Sequence, residues 1–331
     1  MYCKIMADHA VDDVFDGDNI FIIYRGGRAP QHVTHARIDE SVDEIEEEAF
    51  DGCENLLQVE THDGIRIIGK WAFRYCVSLR RINLKSAVEI DNGSFHGCYN
   101  LEAVEFGDRL ERIGNLAFYR CSLKHLKLPS SIITIGDYAF WNCNRLTDVE
   151  LSERLETFGV GAFWSCKRLL RIAIPLKRDI FALHQLSQRY NQFDKCDQLI
   201  TVDLVGGVHK TVSSLHMESW KTEMIEEINR INQVLPNTPA DEKTGEIRQW
   251  MESLLDKMDY YKAEHNRYVK EGITLLELAL WKTRLDENEE YAVERKSKKV
   301  KIDAESARKE RRITCGADIV IKNVLPFLQL E

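Results

Sequence analysis

No stretch of the sequence approaches the roughly 20 consecutive apolar residues of a membrane-spanning helix. Its most apolar late segment, 313–330, is interrupted by Asp318, Lys322 and Asn323. The opening MYCKIMADHAVDDVF lacks the apolar core of a signal peptide, and the closing Leu-Gln-Leu-Glu is no prenylation box. These absences predict a cytoplasmic protein without a membrane partner. Close Cys-x-x-Cys pairs, an HExxH helix and a nucleophile elbow are also missing, and the 10 histidines share no period. No catalytic, cofactor-binding or metal-binding residue can be nominated, so an enzyme is not expected. Asp12–Gly17 resembles a calcium loop, but Val14 and Ile23 fall where oxygen ligands are needed. Arg25-Gly-Gly-Arg28 has no phosphate-loop context and reads as a turn. A basic stripe is lacking too. The net charge of −9 divides into −8 over residues 1–50, +2 over 51–210 and −3 over 211–331, which argues against nucleic acid as a partner.

What is present is a repeat. Phe50, Phe73, Phe95, Phe118, Phe140, Phe163 and Phe193 are each followed three residues later by a cysteine: Cys53, Cys76, Cys98, Cys121, Cys143, Cys166 and Cys196. The phenylalanines are spaced 23, 22, 23, 22, 23 and 30 residues apart. Such a period is the signature of a solenoid. Nine cysteines, an odd number, suit reduced thiols better than a disulfide framework.

The remainder of the unit agrees. Leucine triplets follow most of the cysteines, as in Leu79-Ile82-Leu84 and Leu146-Val149-Leu151, and their last two positions alternate like a short strand with one buried face. Ile68-Gly69, Ile113-Gly114, Ile135-Gly136 and Phe158-Gly159 precede the phenylalanines, and the glycine is expected to supply a turn. The Ala-Phe-x-x-Cys segment is then a returning arc, read as one helical turn. About seven residues are inserted before Phe193, which suggests an atypical, capping last repeat. Asn19–Arg28 is expected to add a capping strand at the other end.

This unit, roughly Leu-x-x-Ile-Gly-x-x-Ala-Phe-x-x-Cys-x-x-Leu-x-x-Ile-x-Leu-Pro, resembles the BspA-like class of leucine-rich repeats over residues 33–206. The segments INQVLPNTPADEKT and GADIVIKNVLPFLQLE look like the C-terminal region of BspA-type proteins from diatom-like algae. The resemblance implies an α/β fold: a curved right-handed leucine-rich-repeat solenoid of about seven 22–23-residue repeats, followed by an α-helical C-terminal region. It implies binding and no chemistry. The expected divisions are an acidic, partly disordered segment over 1–18, the solenoid over 19–207, and a helical or coiled-coil region over 208–331.

Two faces are candidate binding surfaces. The residues after each phenylalanine include Tyr119, Trp141 and Trp164, which should form an aromatic ladder on the arc. Packing beneath a neighbouring element is the competing reading. The strand face carries Arg81, Glu105, Lys127, Glu150 and Arg171, a mixed surface with an acidic bias that fits an unidentified protein partner or simple solvation. The cysteines read as small apolar fillers. Cross-linking or metal sharing between coils about 4.8 Å apart stays open.

Beyond Gly207 the period stops. A helix is expected over 212–235, ending at Pro236, and another of about 40 residues from near Thr244. The second carries Ile247, Met251, Leu254, Met258, Tyr261, His265, Tyr268 and Gly272 in 4-3 steps. Either an intramolecular antiparallel bundle or a coiled-coil homo-oligomer satisfies that seam. A last helix is expected over 304–324. The basic run Arg295–Lys301 reads as a nuclear import signal or a solvated helix face. The leading expectation is a non-catalytic protein–protein interaction module; a scaffold built on the helices and a nuclear regulatory protein are the alternatives.

Overall fold

A computed structural model describes residues 14–16, 19–178, 180–181, 191–206 and 218–294. Most coils contribute two strands and an arc. The longer strands, β3 (His35–Ile38), β5 (Gln58–Glu60), β7 (Arg81–Leu84), β9 (Ala103–Phe106), β11 (His125–Lys127), β13 (Asp148–Glu150), β15 (Arg171–Ile174) and β16 (Thr201–Leu204), form one parallel wall. Ladder hydrogen bonds divide it into β3-β5, β7-β9 and β11-β13-β15-β16. A second parallel wall is built from two-residue strands: β4 (Glu44–Ile45), β6 (Ile67–Ile68), β8 (Glu89–Ile90), β10 (Arg112–Ile113), β12 (Thr134–Ile135) and β14 (Thr157–Phe158). Only the longer wall is legible in the sequence, because a two-residue strand is too short to display alternation. At the N-terminal end β1 (Val14–Asp16) runs antiparallel to β2 (Asn19–Tyr24), and β2 pairs parallel with β3.

The period of the sequence becomes columns of identical side chains. Ile45, Ile68, Ile90, Ile113, Ile135 and Phe158 align in register and are buried. The six rings from Phe50 to Phe163 stack with centroids 5.0–5.3 Å apart and planes 3–6° from parallel. Tyr24 closes this stack at one end at 5.0 Å, and Phe193 continues it at the other at 6.2 Å. Every one of these phenylalanines is fully buried. Large side chains can recur at one slot because each coil buries the face of the next.

Two local expectations are corrected. The arc is not a helical turn but two consecutive turns. The residues two before and two after Phe73, Trp71 and Tyr75, take φ of 57° and 59°, and Tyr138 and Asn142 around Phe140 take 56° and 61°. A left-handed residue on each side of the phenylalanine breaks a helix and reverses the chain twice. The glycine after the Ile column does not serve a positive φ either. A Cβ on Gly69 would lie 2.6 Å from the Ile45 carbonyl oxygen, and one on Gly159 would lie 2.3 Å from the Gly136 carbonyl carbon. Glycine is needed there because adjoining coils touch backbone to backbone. Gly69→Ala is therefore expected to cost about 1–3 kcal/mol through overpacking, read as a lower urea midpoint with an unchanged slope.

The C-terminal segment supplies α1 (Glu218–Val234), a short 3-10 turn at Leu235–Asn237, and α2 (Lys243–Glu294). The chain does stop helix α1 at Pro236, whose ring cannot continue it. Residues 212–217, the region 304–324 and the basic run 295–301 lie outside the described residues. Helix α2 holds 52 residues, longer than expected, and runs through Gly272. One glycine costs only about 1 kcal/mol, too little to interrupt a helix flanked by good helix formers.

By compactness, residues 222–255 belong with the solenoid, while the described residues 218–221 and 256–294 form a second unit. Within the first unit, Met224, Ile228, Ile231 and Leu235 are buried, as are Ile247, Trp250, Met251 and Leu254. Trp250 Nε1 donates to the Glu227 carbonyl at 3.1 Å. Within the second, the Trp220 and Tyr261 rings stack at 4.8 Å.

These helices do what the Phe193 coil was expected to do. In the solenoid each Phe N–H donates to a carbonyl of the following coil, as Phe118 does to Ala139 at 2.7 Å. Among the described residues no coil follows Phe193, and its N–H donates to Thr244 Oγ1 at 3.1 Å. Among the described residues no strand follows β16. The Asn232 side chain accepts from Val202 N–H at 2.8 Å and donates to the Val202 carbonyl at 3.1 Å. The buried Lys243 ammonium donates to the Asp197 and Leu199 carbonyls at 3.0 and 2.6 Å. Three side chains thus stand in for backbone partners at the end of the stack.

Candidate functional site

The arc places one side chain per coil beside the buried phenylalanine. At the N-terminal end this column is charged. Arg28 pairs with Glu48 and, at 3.7 Å, with Asp51, and Arg74 grips Asp51 through bonds of 2.7 and 2.6 Å. From there the column becomes aromatic. His96 and Tyr119 lie 4.5 Å apart, Tyr119 and Trp141 4.8 Å, and Trp141 and Trp164 4.7 Å, centroid to centroid. All four are half-buried. Unlike the phenylalanine stack these rings are not parallel: Tyr119–Trp141 makes 61° and Trp141–Trp164 46°. Each ring therefore meets its neighbour at an angle, a favourable aromatic geometry.

Cations border the rings. The Arg120 guanidinium lies 5.1 Å from the Tyr119 centroid and the Lys195 ammonium 4.9 Å from that of Trp164. Both residues occupy the left-handed slot two residues after a core phenylalanine, each with φ of 58°, and both are exposed. His96 stays neutral: burial holds its pKa below the ordinary imidazole value, helped by the charges of Arg74 and Arg120.

The strand face is different. Lys127 pairs with Glu150 at 3.3 Å, and Arg171 bridges Asp148 and Asp203 at 3.3 and 3.2 Å. Glu105 pairs with Lys85 at 2.9 Å, and the charge of Arg81 lies close enough to help hold the Glu105 carboxyl below its usual range. Of the strand-face candidates, Arg81, Glu105 and Lys127 are exposed, while Glu150 and Arg171 are half-buried. The wall is laced by ion pairs between coils, each worth little at such exposure. A cavity of about 290 Å³ at its N-terminal end, lined by Phe21, Ile23, His35, Arg37 and Glu60 among others, was not foreseen. It gave no signal because β2 precedes the repeat.

The thiols of Cys53, Cys76, Cys98, Cys121, Cys143, Cys166 and Cys196 are free and buried. From Cys76 onward, each Sγ donates to the carbonyl of the preceding coil's phenylalanine, at 3.0–3.3 Å. They are aimed at backbone oxygens, so the column is a hydrogen-bonded spine. Burial pushes every one of these thiols up, Cys53, Cys143 and Cys196 to about 12. A protonated thiol is a poor nucleophile and metal ligand. Among the described residues no group of His, Cys, Asp or Glu is arranged to hold a metal ion. No described helix is long and apolar enough to cross a membrane.

The model of the BspA type leucine-rich repeat region matches residues 30–102 and 85–199 in six copies, half of the chain. The chain belongs to the BspA-type leucine-rich-repeat family. Among solved structures, this BspA-type chain is similar to a leucine-rich repeat protein from Bacteroides ovatus, with 25% identity over 62% of this chain and 54% of that one, at a TM-score of 0.47. It thus spans about half the length of that protein. The leucine-rich repeat protein of T. pallidum is 23% identical over 60% of this chain and 81% of its own, at a TM-score of 0.36. The pneumococcal vaccine antigen PcpA is 15% identical over 61% and 82%, at 0.32. No curated protein matches the chain. BspA-type leucine-rich repeats are, as a class, protein-interaction modules.

Proposed function

We propose that this protein is a non-catalytic binding module that takes a protein partner on the arc face, with Tyr119, Trp141 and Trp164 as anchors. The observation that carries this reading is the continuous column of half-buried rings, interrupted by no ion pair between Tyr119 and Trp164. Half-buried aromatics present large apolar area at low entropic cost, which is the composition of interface hot spots. The strand face, by contrast, spends its charges on its own neighbours, and a partner there would have to break them.

A second reading, a scaffold working through its helices, is favoured by a separate feature. On α2, Trp281 is 65% exposed and Leu278 61%, with Leu275 and Leu280 beside them in sequence and also exposed. The experiment compares full-length protein with the Trp141→Ala/Trp164→Ala and Leu278→Ser/Trp281→Ser variants as bait for the same partner. Loss of capture of at least tenfold in the first variant alone supports the arc face. Loss in the second alone transfers the function to α2.

A further inference from the structure

The arc face is not electrically neutral, and the imbalance specifies what it takes. Arg120 and Lys195 sit at the two ends of the Tyr119–Trp141–Trp164 column. Neither makes an ion pair with a described carboxylate; each lies over a ring instead. A ring face attracts a cation but carries no net charge to neutralise it. The slots between them, Asn142 and Ser165, are uncharged. Two carboxylates of these coils turn toward backbone: Asp137 accepts from Val160 N–H at 2.8 Å, and the buried Asp194 accepts from Asn191 N–H at 3.0 Å. What remains is an apolar strip with an exposed cation at each end.

The spacing of those charges is set by the fold. Arg120 and Lys195 stand in the same slot three coils apart, and coils stack about 4.8 Å from one another, which separates the slots by roughly 14–15 Å. An extended peptide advances about 3.3–3.4 Å per residue, so four residues cover that distance. Residues i, i+2 and i+4 of such a peptide project from the same side. We propose that the arc face binds an extended acidic peptide of the pattern acidic-x-apolar-x-acidic, the carboxylates meeting Arg120 and Lys195 and the central apolar side chain meeting Trp141. This rests on the reading of the arc face as the binding surface. A single-stranded nucleic acid would also bring negative charge, but ring centroids 4.7–4.8 Å apart leave no gap for a base between them.

The test uses full-length protein and a fluorescein-labelled ten-residue peptide centred on Glu-Thr-Phe-Thr-Glu, followed by anisotropy. Binding is expected with a Kd below about 1 mM, weakened about tenfold in Arg120→Asn/Lys195→Asn, the size expected for losing two exposed ion pairs. Asn142 already occupies the same left-handed slot, so these substitutions preserve the backbone, which an unchanged circular dichroism melt verifies. A peptide with lysine in place of both glutamates is expected not to bind. Absence of binding, indifference to the double substitution, or tighter binding of an oligothymidine of equal length overturns the proposal. If Trp141→Ala/Trp164→Ala abolishes capture of a protein partner while Arg120→Asn/Lys195→Asn leaves it intact, the acidic-peptide inference falls and the arc-face reading survives.

Discussion

Raising the pH from 7 to 10 in reducing buffer is expected to unfold the solenoid. Seven buried thiols are the cause. Burial raises their folded-state pKa values, to about 12 for Cys53, Cys143 and Cys196, whereas in the unfolded chain they titrate at ordinary thiol values. A group raised on folding contributes stability that is fully present below its unfolded pKa. That contribution is lost as pH climbs toward the folded value, here from about 9 upward. At pH 10 each protonated thiol forgoes about 1.4 kcal/mol that the unfolded thiolate gains. Over seven sites the loss is on the order of 10 kcal/mol, comparable with the whole stability of a domain. Urea midpoints measured from pH 8 to 10.5 should fall steeply. Cys98→Ala and Cys143→Ala should each lower the starting stability but flatten the pH slope by about 1.4 kcal/mol per pH unit. A midpoint that is level across this range sinks the idea.

The second large effect concerns the end of the stack. Asn232→Ala strands the Val202 N–H and carbonyl, and Lys243→Ala strands the Asp197 and Leu199 carbonyls. A buried polar group left without its partner costs roughly 1–3 kcal/mol, so the double variant should lose several kcal/mol. In a solenoid the loss is also directional, because each coil is stabilised by its neighbours. Hydrogen exchange should accelerate first around Phe193 and Val202, and leave the Phe50 coil protected. Uniform acceleration in every coil, or none, would show that the helices do not act as a cap.

The inner architecture was legible because it is periodic. A phenylalanine and a cysteine recurring every 22–23 residues leave the chain one economical solution, a coil per repeat with both side chains in register. The arc ladder was legible for the same reason: Tyr119, Trp141 and Trp164 share a slot, so their proximity follows from the period. What the pattern lacked were signals for features that occur once. Asn232, Lys243 and Thr244 belong to a helical segment with no repeat, and their partners are backbone atoms that any sequence possesses. Lysine in particular reads as a solvent-exposed residue, and only the stranded carbonyls of the last coil make its burial favourable.

The sequence by itself determined the repeat length, the inward columns and the family, since a hydrophobic side chain returning at a fixed period can be buried in only one way. Tertiary structure alone decided the direction of the thiols, the reason for the glycines and the identity of the cap. Those depend on which backbone atoms of one coil meet the next, and contacts to backbone leave no trace in side-chain composition.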